Sequence, residues 1–532
     1  MEKKEHLSMY GVGPFYGISI LLITAIMIVL SCMGILPGKI EVPFLIVLFV
    51  VFGIFVAIFG FMIWKKASLG AESIDGYIKS NALCKTGVYG IVRNPCYSGI
   101  MLICTGALLI AHNYLLMVLP FIYWLAMTIM LICSEERWLN KMYGEEYKIY
   151  RGRVNRCIPW FPKKTKKRIF ANVIVLLILV LLILPFGVSV FVYEQFFGIR
   201  YETSGWQKYS IEDFEGLSRT EYDFTSDQGQ KIAGYLYYVE NVDYRGVVVF
   251  GHGFGGGGHN SYMECADYFA NHGYYVYAFD ATGNDESEGT SVKGFPQQVI
   301  DMDYAISYVE TLPETKDLPV MLFGHSWGGY TVTNVIKYHP EVKAVVSLAG
   351  FNKSSDLLEA QGKEMVGDYI SLLMPYIKAY EWMKFGSYAT STAMDAFADT
   401  DTAVMVYHSK IDTMVSREYG YDIWYDEYAD SDRFRFILRD DIDGNGHNLL
   451  YYNQKAIDYF LALNETMEPL YEDWKDGLNY DYEAAENEER YEKDYIRFMR
   501  SNIDWYMWCH CIDEKMFSDM VEFYDSQLDK ET

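Results

Sequence analysis

The hydrophobic pattern changes character near residue 195. Before it, long apolar runs dominate; after it, short apolar runs alternate with turn residues and helical spacing. Phe15 to Leu36 and Pro43 to Trp64 each match the roughly 20 residues that cross a bilayer core as a helix. The first has no small-residue cleavage site, so it reads as a membrane helix and not as a signal peptide. Ile100 to Ile132 breaks at Ala111-His112-Asn113 and reads as two helices joined by a tight turn, and Ile169 to Tyr193 reads as a fifth span. The second half begins with Tyr222 to Ser226 and Lys231 to Tyr238 flanking Asp227-Gln228-Gly229, a hairpin pattern. Strand runs at Val247 to Phe250, Tyr274 to Phe279, Pro319 to Phe323, Val342 to Leu348, Val404 to His408 and Phe434 to Leu438 alternate with helical stretches. That alternation predicts a mostly parallel sheet with helices on both faces.

Charge divides the chain at the same place. Residues 1–198 hold 19 Lys+Arg against 10 Asp+Glu, and the remainder holds 26 against 60. The acidic half argues against nucleic acid as a partner, since phosphate is repelled. Basic residues cluster between the second and third spans and again from Glu135 to Arg168, ending in Lys163-Lys164-Thr165-Lys166-Lys167-Arg168. The preference of such clusters for the inner face puts both segments in the cytoplasm and everything after residue 194 outside the cell. The nine cysteines are scattered, and Cys509-His510-Cys511 is too tight for a tetrahedral zinc site without further ligands, so no metal is expected.

The expected organisation is a transmembrane domain over 1–168, a fifth membrane helix over 169–198 and a linker over 199–218. An α/β domain follows over 219–463, then an acidic, solvated extension over 464–532, with helical spacing in parts and packed on the sheet domain. A helical insertion over about 351–400, rich in Met, Leu and Tyr, interrupts the strand alternation and is expected to form a lid.

The chemistry centres on Gly324-His325-Ser326-Trp327-Gly328-Gly329, placed between a strand run and a helical run. A serine on such a turn is held in a strained conformation and exposed at the top of the sheet. A serine hydroxyl needs a base to take its proton and a third group to hold that base. Downstream, Asp412 lies just past the strand Ala403 to Tyr407, and His447 lies in the glycine-rich Asp443-Gly444-Asn445-Gly446-His447-Asn448 loop. These predict Ser326 as nucleophile, His447 as base then acid, and Asp412 as orienter. His408 is the rival base, beside Asp412 at the strand end; His252 and His259 precede the serine. Asp441 and Asp443 are the rival acids. Two backbone N–H donors are needed for the oxyanion: Trp327, next to the serine, and Phe254 in the His252-Gly253-Phe254-Gly255 loop.

These motifs, in this order, resemble the α/β-hydrolase superfamily over about residues 220–462, closest to its lysophospholipase and serine-aminopeptidase-like branch. The resemblance implies hydrolysis of an ester, thioester or amide through an acyl-enzyme, with no cofactor. A second resemblance covers about residues 15–165. Arg93-Asn94-Pro95-Cys96-Tyr97-Ser98-Gly99, Glu135-Glu136, Tyr143-Gly144-Glu145-Glu146-Tyr147 and Asn155-Arg156-Cys157-Ile158-Pro159 together resemble the isoprenylcysteine carboxyl methyltransferase and phospholipid methyltransferase families. That resemblance implies S-adenosylmethionine as cofactor, with Arg93, Tyr97, Glu136 and Arg156 as its contacts; Asn94 stands where those families have histidine.

The expected whole is a membrane-anchored serine hydrolase, acting on a small or lipid-like acyl substrate, fused to a methyltransferase-like membrane domain. Two rivals stand beside it. In one, methyl transfer to a lipid or isoprenoid-type carboxylate is the main activity; in the other, the hydrolase fold is a non-catalytic receptor.

Overall fold

A computed structural model describes residues 13–36, 38–40, 43–69, 82–159, 174, 184–440 and 446–528. The chain divides into two compact units, Met1–Gln195 with Leu372–Lys384, and Phe196–Ser371 with Phe385–Thr532.

The first unit is helical: α1 (Gly13–Cys32), α2 (Pro43–Leu69), α3 (Pro95–Ile110), α4 (Leu119–Cys133), α5 (Glu135–Arg153) and the start of α6 (Leu184–Phe197). Among the described residues, three of its segments are long and apolar enough to cross a membrane, Gly13–Cys32, Phe49–Ser68 and Leu115–Cys133. Large apolar side chains such as Phe15, Phe52 and Phe55 point outward from them. α3 has 16 residues, about 24 Å of helix, short of the roughly 30 Å hydrocarbon core. It starts at Pro95, five residues before the apolar run expected from Ile100, and it ends at the expected turn. The fifth expected span, Ile169 to Tyr193, lies largely outside the described residues; from Leu184 it is helical. α2 and α3 approach closely through small residues: a Cβ on Gly106 would meet the Gly53 carbonyl at 2.5 Å.

The second unit is built on an eight-stranded sheet, β1 (Leu217–Glu221), β4 (Gly234–Val239), β6 (Tyr274–Phe279), β5 (Gly246–Gly251), β7 (Val320–His325), β8 (Ala344–Leu348), β9 (Ala403–Ser409) and β10 (Phe434–Arg439) in spatial order. β1 and β4 are antiparallel to their neighbours and the other pairings are parallel. The expected hairpin exists as the short pair β2 (Phe224–Thr225) and β3 (Lys231–Ile232). β5 and β7 are buried at every residue, as strands covered on both faces must be. One face carries α7 (Met263–Asn271). α8 (Phe295–Val309) and α9 (Trp327–Val335) pack together and against β5.

The acidic C-terminal segment packs on the sheet domain, and its last helix enters the core. Its last helix, Glu514–Leu528, buries Met516, Phe517, Met520, Val521, Phe523 and Tyr524 against Phe269, Phe323 and Val346. The Tyr524 hydroxyl donates to the Leu322 carbonyl at 2.8 Å. The linker is likewise structural, since Tyr209, Phe214 and Leu217 join the same core. The insertion expected as a lid forms α10 (Ser354–Val366), α11 (Met374–Phe385) and α12 (Ala393–Asp399). Most of α11 falls in the first unit, where Lys384 pairs with Glu194 at 2.8 Å and the Tyr193 hydroxyl donates to Glu381 at 3.0 Å.

Among the described residues no cation pairs with the core carboxyl of Glu264. Glu264 on α7 is 2 % exposed, and burial pushes its pKa from 4.5 to about 8. The unfolded chain releases this proton near its ordinary value, while the folded chain keeps it to about 8. Stability is therefore lost as pH rises through that window, by of order 5 kcal/mol in all. Glu264→Gln, which cannot ionise, is expected to flatten the fall. The check is the urea midpoint of the second unit against pH in both proteins; equal slopes would contradict the assignment.

Candidate active site

The turn after β7 brings the parts together. Ser326 has φ 57° and ψ −113°, a conformation costing about 1–3 kcal/mol for a residue with a side chain. It is held by its own N–H, which donates to the Leu348 carbonyl of β8 at 2.8 Å. The returning chain passes so near the end of β5 that a Cβ on Gly328 would meet the Gly251 carbonyl oxygen at 1.9 Å. Only glycine fits there.

His447 faces the serine. Its Nε2 lies 2.9 Å from Ser326 Oγ, and its Nδ1 lies 2.7 Å from Asp412 Oδ2. Since the carboxylate can only accept, Nδ1 carries the proton and Nε2 is free to accept from the hydroxyl. Asp412 Oδ1 accepts from the Met414 and Val415 N–H groups, both at 2.9 Å. Burial pushes the Asp412 pKa up, but the bond to His447 and its charge outweigh that, and the carboxyl stays below its ordinary value. His408, the rival base, turns its Nε2 to the Val415 carbonyl at 2.9 Å and stands 3.6 Å from Asp412 Oδ2. It is wholly buried, and burial keeps its pKa below the ordinary value. Asp441 and Asp443 lie outside the described residues.

Trp327 opens α9, so its N–H has no partner within the helix. Among the described residues no acceptor faces the Phe254 N–H. The peptide carrying that N–H is oriented by His252, which is wholly buried. Its Nε2 accepts from the Ala281 N–H at 3.0 Å, so the proton sits on Nδ1, which donates to the Gly253 carbonyl at 2.8 Å. In a trans peptide the N–H points opposite to the carbonyl, so the Phe254 N–H points away from His252. The Phe254 ring packs between Phe197, Tyr201, Phe295 and Trp327. The orienting role of His252 was not legible from its place in the chain; its partner Ala281 lies 29 residues on.

In the first unit, Arg93, Glu136 and Arg156 come together and Tyr97 stands apart from them. Arg156 donates to both Glu136 oxygens, at 2.6 and 3.0 Å. Arg93 pairs with Oε1 of the same carboxylate at 2.9 Å. Burial raises the Glu136 pKa, but the arginines outweigh it and hold the carboxyl below its ordinary value. The Tyr97 hydroxyl donates to Glu135 instead. Asn94 donates to the Arg156 carbonyl at 2.9 Å, fixing the loop that delivers that arginine.

The model of the S33 serine aminopeptidase family matches residues 243–424, which include Ser326 and Asp412 but stop before His447. The phospholipid methyltransferase model matches residues 44–146. Similar solved structures include an esterase of Pyrococcus furiosus (14% identity, 44% of this chain and 85% of that one, TM-score 0.35). Another is acetyl xylan esterase 1 from Thermoanaerobacterium sp. JW/SL YS485 (16% identity, 44% and 78%, TM-score 0.34). No curated protein matches the sequence.

The close backbone approach has a direct test. Gly328→Ala is expected to destabilise the second unit by about 3 kcal/mol or more, whereas Gly256→Ala, with nothing within 4 Å of the added atom, is expected to be near neutral. Thermal unfolding of the two variants checks this; equal shifts would contradict the packing.

The chain thus resembles two families in succession, the phospholipid methyltransferases in its N-terminal part and the S33 serine aminopeptidase branch of the α/β hydrolases in its C-terminal half.

Proposed function

We propose that this protein is a membrane-anchored serine hydrolase that cleaves an ester, thioester or amide through an acyl-enzyme. The observation that carries the reading is the chain of contacts Asp412–His447–Ser326 at 2.7 and 2.9 Å. Ser326 Oγ attacks the acyl carbon while its proton passes to His447 Nε2. The carbonyl oxygen becomes an oxyanion, held by the Trp327 and Phe254 N–H groups. Collapse breaks the bond to the leaving group, which takes the proton from His447. Water, deprotonated by the same imidazole, then attacks the acyl-serine, and a second collapse frees the acid and restores the hydroxyl. Asp412 keeps its charge throughout and stabilises the imidazolium. A membrane location, supported by the three apolar helices, favours acyl esters of lipid-like molecules, and the distribution of Lys and Arg favours a site outside the cytoplasm.

The methyltransferase match supports a second activity in the first unit. Its residues fit S-adenosylmethionine in one respect: among the described residues the buried Arg93 Nε has no acceptor, leaving a donor for a carboxylate. Arg93, Glu136 and Arg156 would hold the cofactor, which supplies an electrophilic methyl group when bound. Glu136 keeps the two guanidinium groups in place.

Labelling of full-length protein by a fluorophosphonate is expected in the wild type and absent in Ser326→Ala; an unlabelled wild type would favour the receptor alternative. For the first unit, S-adenosylmethionine is expected to bind the full-length protein in detergent and to lose at least about tenfold in affinity in Glu136→Gln, where the arginine pairs lose their charge. Calorimetry that finds no binding to the wild type would remove methyl transfer from the account.

A further inference from the structure

His325, between Gly324 and Ser326, is 3 % exposed and takes no part in the chemistry above. Its Nε2 lies 3.0 Å from the backbone carbonyl of His447, and its Nδ1 lies 3.0 Å from the Tyr262 hydroxyl. The Tyr262 oxygen in turn accepts from the Gly253 N–H at 3.1 Å.

The direction of every link is determined. A backbone carbonyl can only accept, so His325 Nε2 carries a proton. Burial, then the neighbouring His447, lowers the His325 pKa to about 3. The ring is thus neutral and its Nδ1 accepts. Tyr262 must therefore give its single proton to Nδ1, which leaves the oxygen lone pairs for Gly253. The result is a one-way chain: Gly253 N–H to Tyr262, Tyr262 O–H to His325, His325 N–H to the His447 carbonyl.

Resting on the hydrolase reading, we propose that Tyr262 and His325 are positioning residues that lock two loops to one another, the loop carrying the Phe254 N–H and the loop carrying His447. The first link pins Gly253, whose carbonyl His252 holds from the other side. The last link pins the backbone of the base itself. These loops come from opposite ends of the domain sequence, residues 252–258 and 446–448, and both must register with Ser326 to about half an ångström for catalysis. The chain joins them through the residue next to the nucleophile.

The test is steady-state hydrolysis of p-nitrophenyl acetate by full-length protein in detergent micelles. It compares the wild type with Tyr262→Phe, His325→Gln and the double variant, with active sites counted by fluorophosphonate. Each single change is expected to lower kcat about 10- to 100-fold, the scale of a small misplacement, with KM within about twofold. The double variant is expected to fall by less than the product of the two single effects, because both act on one chain. Kcat per active site within about twofold of wild type in Tyr262→Phe would overturn the proposal, and so would a double variant equal to the product. A role in folding alone would lower the unfolding temperature without changing kcat per active site. If His325→Gln fails to fold, Tyr262→Phe, which removes one oxygen, decides by itself. A wild type that does not turn over removes the hydrolase reading and this proposal together; a wild type that turns over with unaffected variants removes the proposal alone.

Discussion

Two backbones touch where Gly328 crosses Gly251, and the site geometry depends on that contact. β5 and β7 are paired in parallel with Gly251 opposite Gly324. The chain leaving β7 must turn within a few residues and pass over the end of β5. With no side chain at 328, the start of α9 can lie against the end of β5. With a side chain there, the two would be forced apart. The strain in Ser326 is the local cost of so abrupt a turn. The central strands β5 and β7, buried at every residue, hold it in place.

The remaining members arrive from far along the chain. Asp412 follows β9 and His447 follows β10, two neighbouring parallel strands whose ends lie on the same edge as the end of β7. Electrostatics then assigns the parts. Asp412 sits where two N–H groups and an imidazole favour its charge. His408 and His325 sit where burial keeps them neutral. Three histidines lie within one cluster, and the one whose Nε2 meets the serine is also the one held by a carboxylate at Nδ1.

How much of this was readable from the residues depended on how local the signal was. The strand-turn-helix around Ser326 is continuous in the chain, and the alternation of strands and helices follows from short-range pattern. Choosing His447 over His408 needed only the order of the chain and the recognition that a strand-end histidine next to Asp412 would bond locally. Tyr262 carries no such signal. Its hydroxyl matters because the chain after β5 folds back, and nothing in its neighbours announces that. The C-terminal helix has two sides. Its acidic residues set the charge of the segment, while Met516, Phe517, Met520 and Tyr524 recur on one face and bury it.

The central claim is that Ser326, His447 and two backbone N–H groups converge on one acyl carbonyl. The most direct measurement is an experimental structure of the protein after reaction with a small alkyl fluorophosphonate. The account expects phosphorus bonded to Ser326 Oγ, with one phosphoryl oxygen about 2.7–3.1 Å from both the Trp327 and Phe254 nitrogens. An unmodified serine, or an adduct whose phosphoryl oxygen lies away from those nitrogens, would contradict it.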